Sequence, residues 1–381
     1  MPAPLLFTPI TIRDVTLKNR VVVAPMHQYA ARRGVANDWH LMNAGRYAAG
    51  GAGLVMMEST KVERRGCGTL GDLGLWDDAF VPGLARCVRF IHEHDAVAGI
   101  QLGHSGRKAR RFRPWEGGGP LVATPEIDDW EAWELVAPSA LASPENEPAP
   151  RALTAAEIPA LVARWGQAAR RAREAGFQVL EIHGAHGYLI HQFLAPAANR
   201  RNDGYGGSEL NRMRFCLEVV EAVRPEWPAH LPLFLRLSVE DDAGWGPAES
   251  VALARLAKPL GVDVVDCSSG GMRGAPVTSA GPIGYGYQVP YAERLRREAG
   301  VLSMAVGLIV HADQAEAILQ EGRADLVALA RELLYNPNWP MDAARKLGAD
   351  PRFELVPPAQ AYWLEKRARQ VRDMVPSTYR A

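Results

Sequence analysis

The sequence predicts a single (β/α)8 TIM barrel over residues 1–381, with an N-terminal hairpin plug and a lid inserted after the third strand. Three observations carry this prediction. Short β-branched runs alternate with longer segments of helical period, the signature of parallel βα units. The short runs number eight, at residues 21–25, 53–58, 96–102, 178–183, 233–237, 263–267, 302–306 and 326–330. Several are continuously apolar, as strands covered on both faces are. A chain of 381 residues suits one such unit, because α/β barrels extend well beyond the usual domain length.

Taken in order, residues 10–12 and 15–17 flank Arg13-Asp14 and predict a hairpin able to close the bottom of the barrel. Residues 110–151 are too long for an ordinary loop and are rich in Pro, Gly and Trp (Pro114, Trp115, Trp130, Trp133, Pro138). That composition predicts a packed lid over the third strand. A helix is predicted over 155–175, with Thr154 and Glu157 as a capping box and Gly176 as its stop. Others are predicted after Ser208 and over 312–321, ahead of Gly322. The tail, 357–381, carries Tyr362, Trp363 and a basic run, and predicts a helix that reaches a neighbouring subunit.

Charge and composition exclude several functions. Lys plus Arg and Asp plus Glu number 43 each, so there is no global positive field for nucleic acid or an anionic membrane. With 48% hydrophobic and 23% charged residues the chain can bury a core without staples. No basic leader or bilayer-length apolar run is present, so a cytoplasmic address is expected. Cys67, Cys87, Cys216 and Cys267 are scattered; their spacing fits neither zinc nor an iron–sulfur cluster and predicts reduced, mostly buried thiols.

Barrel active sites lie at the C-terminal ends of the strands, so those residues are the ones to inspect. The first strand leads into Pro25-Met26-His27-Gln28-Tyr29, the second into Glu58-Ser59-Thr60, and the third into Gln101 and Gly103-His104-Ser105-Gly106-Arg107-Lys108. The fourth leads into Glu181-Ile182-His183-Gly184-Ala185-His186-Gly187-Tyr188, and the fifth presents Arg236. Two histidines three apart point to opposite faces of a strand, so both reach one site only if the chain breaks between them, as Gly184 and Gly187 permit. The pair can then donate to one oxygen and stabilise negative charge developing there. Tyr188 is a candidate general acid. A metal bound through His183, His186 and Glu181, or through His191, is the rival reading, and a purely structural pair is another.

Arg236 at the end of a buried strand needs an anionic partner, either a nearby carboxylate or an electron-rich ring such as a reduced flavin. Gln101 can hydrogen-bond the pyrimidine edge of such a ring, or lid backbone. The turns Val306-Gly307-Leu308 and Ala330-Arg331 lie where barrels bind phosphate on backbone N–H groups, although Arg331 can equally serve as a surface ion-pair partner.

The run Asn199-Arg200-Arg201-Asn202-Asp203-Gly204-Tyr205-Gly206-Gly207-Ser208, the segment from His183 to Leu189 and the segment from Ile100 to Ala109 together resemble the Old Yellow Enzyme family. More narrowly they are similar to its xenobiotic-reductase and thermophilic-like branch. The likeness runs from the Leu6-Phe7-Thr8-Pro9 segment to Trp363. It implies that Pro25, Met26, Ser59, Gln101 and Arg236 surround an FMN ring, with Gly307, Ala330 and Arg331 on its phosphate. It further implies that His183 and His186 bind the oxygen of the activating group, that Tyr188 donates the proton, and that Tyr29 lines the substrate pocket. Trp363 would approach from a neighbouring copy in a homodimer or higher homo-oligomer. His27 stands where this branch usually has cysteine, and is expected to meet the flavin O4 or N5 edge; Ala330 stands where glycine is common.

The resemblance thus implies an FMN-dependent oxidoreductase that takes hydride from NADPH or NADH and reduces activated C=C bonds of enals, enones, maleimides or nitroalkenes. Length and cysteine pattern argue against the larger relatives that add an iron–sulfur cluster. The alternatives are a metal-dependent barrel hydrolase or lyase, and an FMN barrel whose chemistry His27 has altered.

Overall fold

A computed structural model describes residues 4–125, 127–142, 147–273 and 283–370. Eight parallel strands close into a barrel: β1 (Val21–Val23), β2 (Leu54–Lys61), β3 (Val97–Gly103), β4 (Val179–Gly184), β5 (Leu233–Ser238), β6 (Val264–Ser268), β7 (Leu302–Ala305) and β8 (Leu326–Leu329). They pair in chain order, and β8 closes on β1. All eight predicted strands are present, with two informative differences at their ends. β1 stops at Val23, just ahead of Pro25, which has no N–H for a ladder. β2 continues past Glu58 to Lys61, and its register with β3 shifts between Met57 and Thr60. Such a bulge re-aims side chains at the rim of a barrel.

The predicted hairpin forms from Ile10–Ile12 and Val15–Leu17. Its Ile12, Val15 and Leu17 pack with Val22, Leu54, Met56, Val97, Val179, Phe234, Val264, Met304 and Leu326 in one buried cluster inside the barrel. A second, larger cluster joins the outer faces of the strands to the helices, including Trp165, Phe215, Val219 and Leu295.

The helix expected over 155–175 runs Ile158–Glu174, beginning later than predicted. Pro159 occupies its first turn, and the Thr154 hydroxyl donates to Glu157 Oε2 at 2.8 Å instead of accepting from a backbone N–H. Only the reciprocal half of the capping box forms, with Thr154 N–H on the same carboxylate at 2.8 Å. Ser208 caps Glu209–Val223 by accepting from Asn211 N–H at 3.2 Å, and Ala312–Gln320 ends before Gly322, both as expected.

Within 110–151, Leu121, Ile127 and Trp133 form a small core of their own with Cys67, and the Trp133 indole donates to Cys67 O at 3.0 Å. Val136–Ala137 pairs with Arg151–Ala152. The tail forms the helix Pro358–Gln370; its predicted continuation over 371–381 lies outside the described residues. All four cysteines are free and buried. Among the described residues no helix is long and apolar enough to cross a membrane.

Candidate active site

A cavity of about 610 Å³ opens at the C-terminal ends of the strands. Pro25, Met26, His27, Tyr29, Gln101, His183, His186, Tyr188, Arg236 and Arg331 all line it, so ten of the residues singled out from sequence converge there. Ser59 is buried beside it, while Gly307 and Ala330 follow β7 and β8 without lining it. Trp363 does not join them: it sits on the C-terminal helix, 65% exposed.

The chain turns between the two histidines in a way the sequence only half anticipates. Gly184 stays in β4, and the break falls at His186 (φ +60°) and Gly187 (φ +71°). A left-handed histidine is a strained choice that the surroundings must hold in place. Here His186 N–H donates to Ser238 Oγ at 2.9 Å. Gly187 has no room for a side chain, since a Cβ would lie 2.3 Å from Gly271 O. The result brings the two imidazoles to 5.1 Å between ring centroids, with the Tyr188 ring 4.9 Å from His183.

The electrostatics suit neutral hydrogen-bond donors. Burial, reinforced by Arg236 and other nearby cations, holds both His183 and His186 well below the ordinary histidine value. Burial, with Tyr29 and Asp72 adding to it, pushes the Tyr188 phenol well above 10. His186 Nε2 lies 2.7 Å from Ser268 Oγ, which is 3.2 Å from Gln288 Oε1, and the Gln288 amide nitrogen is 3.0 Å from the Tyr287 hydroxyl. Ser268 donates to Gln288 and Gln288 to Tyr287, so Ser268 ties the Nε2 edge of His186 into this row and bears on which ring nitrogen carries the proton.

Arg236 has the carboxylate partner that sequence left open: Asp266, directly opposite it in the β5–β6 register, at 3.1 Å. Gln101 is opposite Glu181 on β4 and donates to it at 2.7 Å. Burial, with Asp266 beside it, raises Glu181 above the usual carboxylate range, and burial raises Asp266 as well. One guanidinium therefore serves two buried acids, and the site favours keeping a proton between them. Arg236 Nε, His183 Nδ1 and Glu181 Oε2 are buried with no hydrogen-bond partner among the described residues.

Several site residues were given no role from the sequence. Lys61 is fully buried, 3.5 Å from Asp72, donates to Ser59 Oγ at 3.1 Å and lies 4.7 Å from the Tyr188 ring centroid. Lys108 lines the cavity and donates to His186 O at 3.0 Å and to Gly271 O; burial, with Arg107 nearby, lowers it to about 8. Phe112, Pro114 and Gly118 form a wall of the cavity. The only legible signal for Lys61 was its place three residues beyond Glu58, and for the wall the aromatic and Pro/Gly content of 110–151.

The metal alternative meets different geometry. His191 Nε2 is 2.8 Å from Asp241 and its Nδ1 accepts Gly187 N–H, while Glu181 is engaged by Gln101. Among the described residues no group of three or more His, Cys, Asp or Glu side chains is arranged to hold a metal ion.

Residues 5–350 match the NADH:flavin oxidoreductase / NADH oxidase family. The chain is 44% identical over 348 residues to the NADPH dehydrogenase of Geobacillus sp. (strain WCH70), covering 90% of this chain and 95% of that protein. Among solved structures it resembles the old yellow enzyme homologue from Zymomonas mobilis (TM-score 0.74, 26% identity, 90% of this chain and 93% of that one). It also resembles 2-naphthoyl-CoA reductase (TM-score 0.79, 25% identity, 90% of this chain), of which it spans about half, 52%.

Proposed function

This chain belongs to the NADH:flavin oxidoreductase / NADH oxidase family, and from that premise we propose that it is an FMN-dependent ene-reductase that takes hydride from NADPH or NADH. Within the family we assign it to the xenobiotic-reductase and thermophilic-like branch, on the likeness of segments 100–109, 183–189 and 199–208. The observation that carries the proposal is the meeting of two neutral imidazoles and a phenol over a cavity whose other walls offer Arg236 and Arg331.

The residues present fit a flavin mononucleotide. Arg331 makes no ion pair with a carboxylate among the described residues, which leaves its charge for a phosphate. The turn after β7 is forced to glycine at Gly307 (φ +109°), and the backbone beside it supplies N–H groups of the kind that bind phosphate. Arg236 Nε, without a hydrogen-bond partner among the described residues, suits the electron-rich edge of the ring, and the Gln101 amide suits its pyrimidine edge. Pro25, Met26 and Ser59 would border the ring, with Ala330 beside the phosphate.

Bound FMN would supply the redox chemistry, accepting hydride from the nicotinamide and passing it to the β-carbon of an enal, enone, maleimide or nitroalkene. The chain's own residues do the rest. His183 and His186 donate to the carbonyl or nitro oxygen as negative charge gathers there. Tyr188 holds its proton until the α-carbon becomes basic enough to take it, as a phenol pushed above 10 must. Phe112 and Pro114 restrict water. The exposed Tyr362 and Trp363 favour a homo-oligomer in which the C-terminal helix of one copy approaches the mouth of another.

The test is anaerobic. The FMN-loaded protein is titrated with NADPH and with NADH, and the bleached sample is then mixed with a panel of these alkenes. Bleaching, followed by return of the yellow colour with stoichiometric loss of the C=C bond, is expected. A sample that bleaches yet recovers its colour only with oxygen overturns the ene-reductase assignment.

A further inference from the structure

His27 is the residue whose surroundings the proposed reaction has not yet used. Its Nε2 lies 3.2 Å from the Tyr188 hydroxyl and its Nδ1 lies 3.4 Å from Glu58 Oε2, so the ring stands between a buried carboxylate and the phenol. The ring is held there by stacking on Tyr29, with centroids 5.1 Å apart. Its side chain is 16% exposed and, with Tyr188, lines the cavity, so water can reach it from the mouth.

We propose that Glu58, His27 and Tyr188 form a proton relay, in which His27 replaces the proton that Tyr188 gives to the substrate carbon. The proposal rests on Tyr188 being the acid, as argued above. It gives His27 a positioning and resupply role that acts through Tyr188.

The geometry supports each part. Glu58 accepts Gln28 N–H at 3.0 Å and faces His27 with one oxygen and His40 Nε2, at 3.4 Å, with the other. Burial would push Glu58 up, but the two imidazoles outweigh it and hold the carboxyl at about 2. A carboxylate 3.4 Å from Nδ1, at ion-pair distance without a hydrogen bond, favours a proton on that nitrogen and compensates the charge when both nitrogens are protonated. Nε2 is then the nitrogen that hands its proton to Tyr188. The other groups around the relay are fixed: His40 behind Glu58, His183 beside Tyr188, Lys61 over the Tyr188 ring and Asp72 behind Lys61.

The proton count balances. As the new C–H bond forms at the α-carbon, the Tyr188 O–H bond breaks. The His27 Nε2–H bond breaks as a new O–H bond forms on the phenolate oxygen. His27 keeps its Nδ1 proton against Glu58 and regains the other from water at the mouth. Without a relay, the phenolate would be left beside Tyr29 and Asp72, the surroundings that already oppose its charge.

The experiment has two readouts on the flavin-loaded protein. In the first, tyrosine is labelled at Cζ and the Tyr188 resonance of the oxidised enzyme is followed by NMR as pH is varied. The wild-type signal should carry a pH-dependent displacement that is lost in His27→Gln. In the second, stopped-flow separates flavin reduction by NADPH from re-oxidation by an enone. His27→Gln should slow re-oxidation by about 10- to 100-fold, below the range for outright loss of a general acid, and slow reduction by NADPH far less. Glu58→Gln should slow re-oxidation less, and added imidazole should restore part of the rate to His27→Ala. If Tyr188→Phe re-oxidises at the wild-type rate, the acid assignment itself falls and the relay with it. If Tyr188→Phe is slow but His27→Gln is not, only the relay is overturned. Should His27→Gln fail to fold, a wild-type Tyr188 signal that does not respond to pH overturns the relay by itself.

Discussion

The two ends of this barrel are built on opposite principles. At the bottom, Ile12, Val15 and Leu17 of the hairpin meet Leu54, Met56, Phe234 and Met304 in a cluster made of apolar side chains. At the top, the same strands end in Glu58, Lys61, Gln101, Glu181, His183, Arg236 and Asp266, all buried and several with a polar atom that has no hydrogen-bond partner among the described residues. Apolar burial is non-directional and stabilising wherever surface is removed from water. Buried polar and charged groups cost free energy unless each is matched, and a site that is matched only when occupied by ligand leaves part of that cost in place. The barrel therefore separates along its axis into an end that holds the fold and an end that holds the chemistry, a few residues apart on each strand.

Removing a side chain at the bottom should give the largest effect on the fold. Phe234 is fully buried in the plug cluster, and Phe234→Ala should destabilise by about 3–5 kcal/mol, the range for a core phenylalanine. Denaturant unfolding followed by circular dichroism measures this, with both half-reactions assayed well below the melting temperature. The half-reactions should be unchanged. A rate loss as large as the stability loss would show that the two ends are not separable.

A smaller effect, of the opposite kind, should follow at the top. Ser268 touches His186 Nε2 and Gln288 and bears on which imidazole nitrogen carries the proton. Ser268→Ala should slow alkene reduction by about 10- to 100-fold, short of the cost of deleting an oxyanion donor outright. Unfolding free energy should scarcely move, and flavin reduction should be unaffected. Equal slowing of both half-reactions would remove the tautomer argument.

This division also explains what the sequence revealed. The eight strands were legible because parallel strands buried on both faces are short apolar runs with clear ends, and the plug was legible from its turn. Reading the residues at those ends found His183, His186, Tyr188, Gln101 and Arg236, because position at the top of a strand is a property of one run. What stayed hidden is a property of two. That Arg236 meets Asp266 and that Gln101 meets Glu181 are facts of inter-strand register, which no single run contains. The contact of His27 with Glu58 and Tyr188 likewise joins three separate segments. Lys61 was hidden for another reason: polar residues 58–61 interrupt the apolar pattern, so the strand was expected to end where the site begins.

The smallest effect, and the one that sharpens the contrast most directly, concerns pH. His183 and His186 are held well below their ordinary value of 6.5 in the folded protein, while in the unfolded chain they titrate near it. Below pH 6.5 these two imidazoles therefore bind more protons in the unfolded state, and their contribution to stability falls as the solution is acidified, by at most about 1.4 kcal/mol per pH unit for each. Glu58, lowered to about 2 from 4.5, adds stability that is fully present above 4.5 and is lost as pH falls through 2, whereas the raised Glu181 and Asp266 favour the folded state as pH falls and oppose the histidines, so the histidine share is read as the difference between wild type and variant. His186→Asn removes one of the two groups and should lessen the fall between pH 6.5 and 4.5 relative to wild type, whereas Phe234→Ala should lower the whole curve without changing its slope. Chemical unfolding midpoints measured across the interval distinguish the two. Parallel curves for wild type and His186→Asn would mean that the mouth's imidazoles carry no penalty for being charged, and the electrostatic half of the contrast between the two ends would be lost.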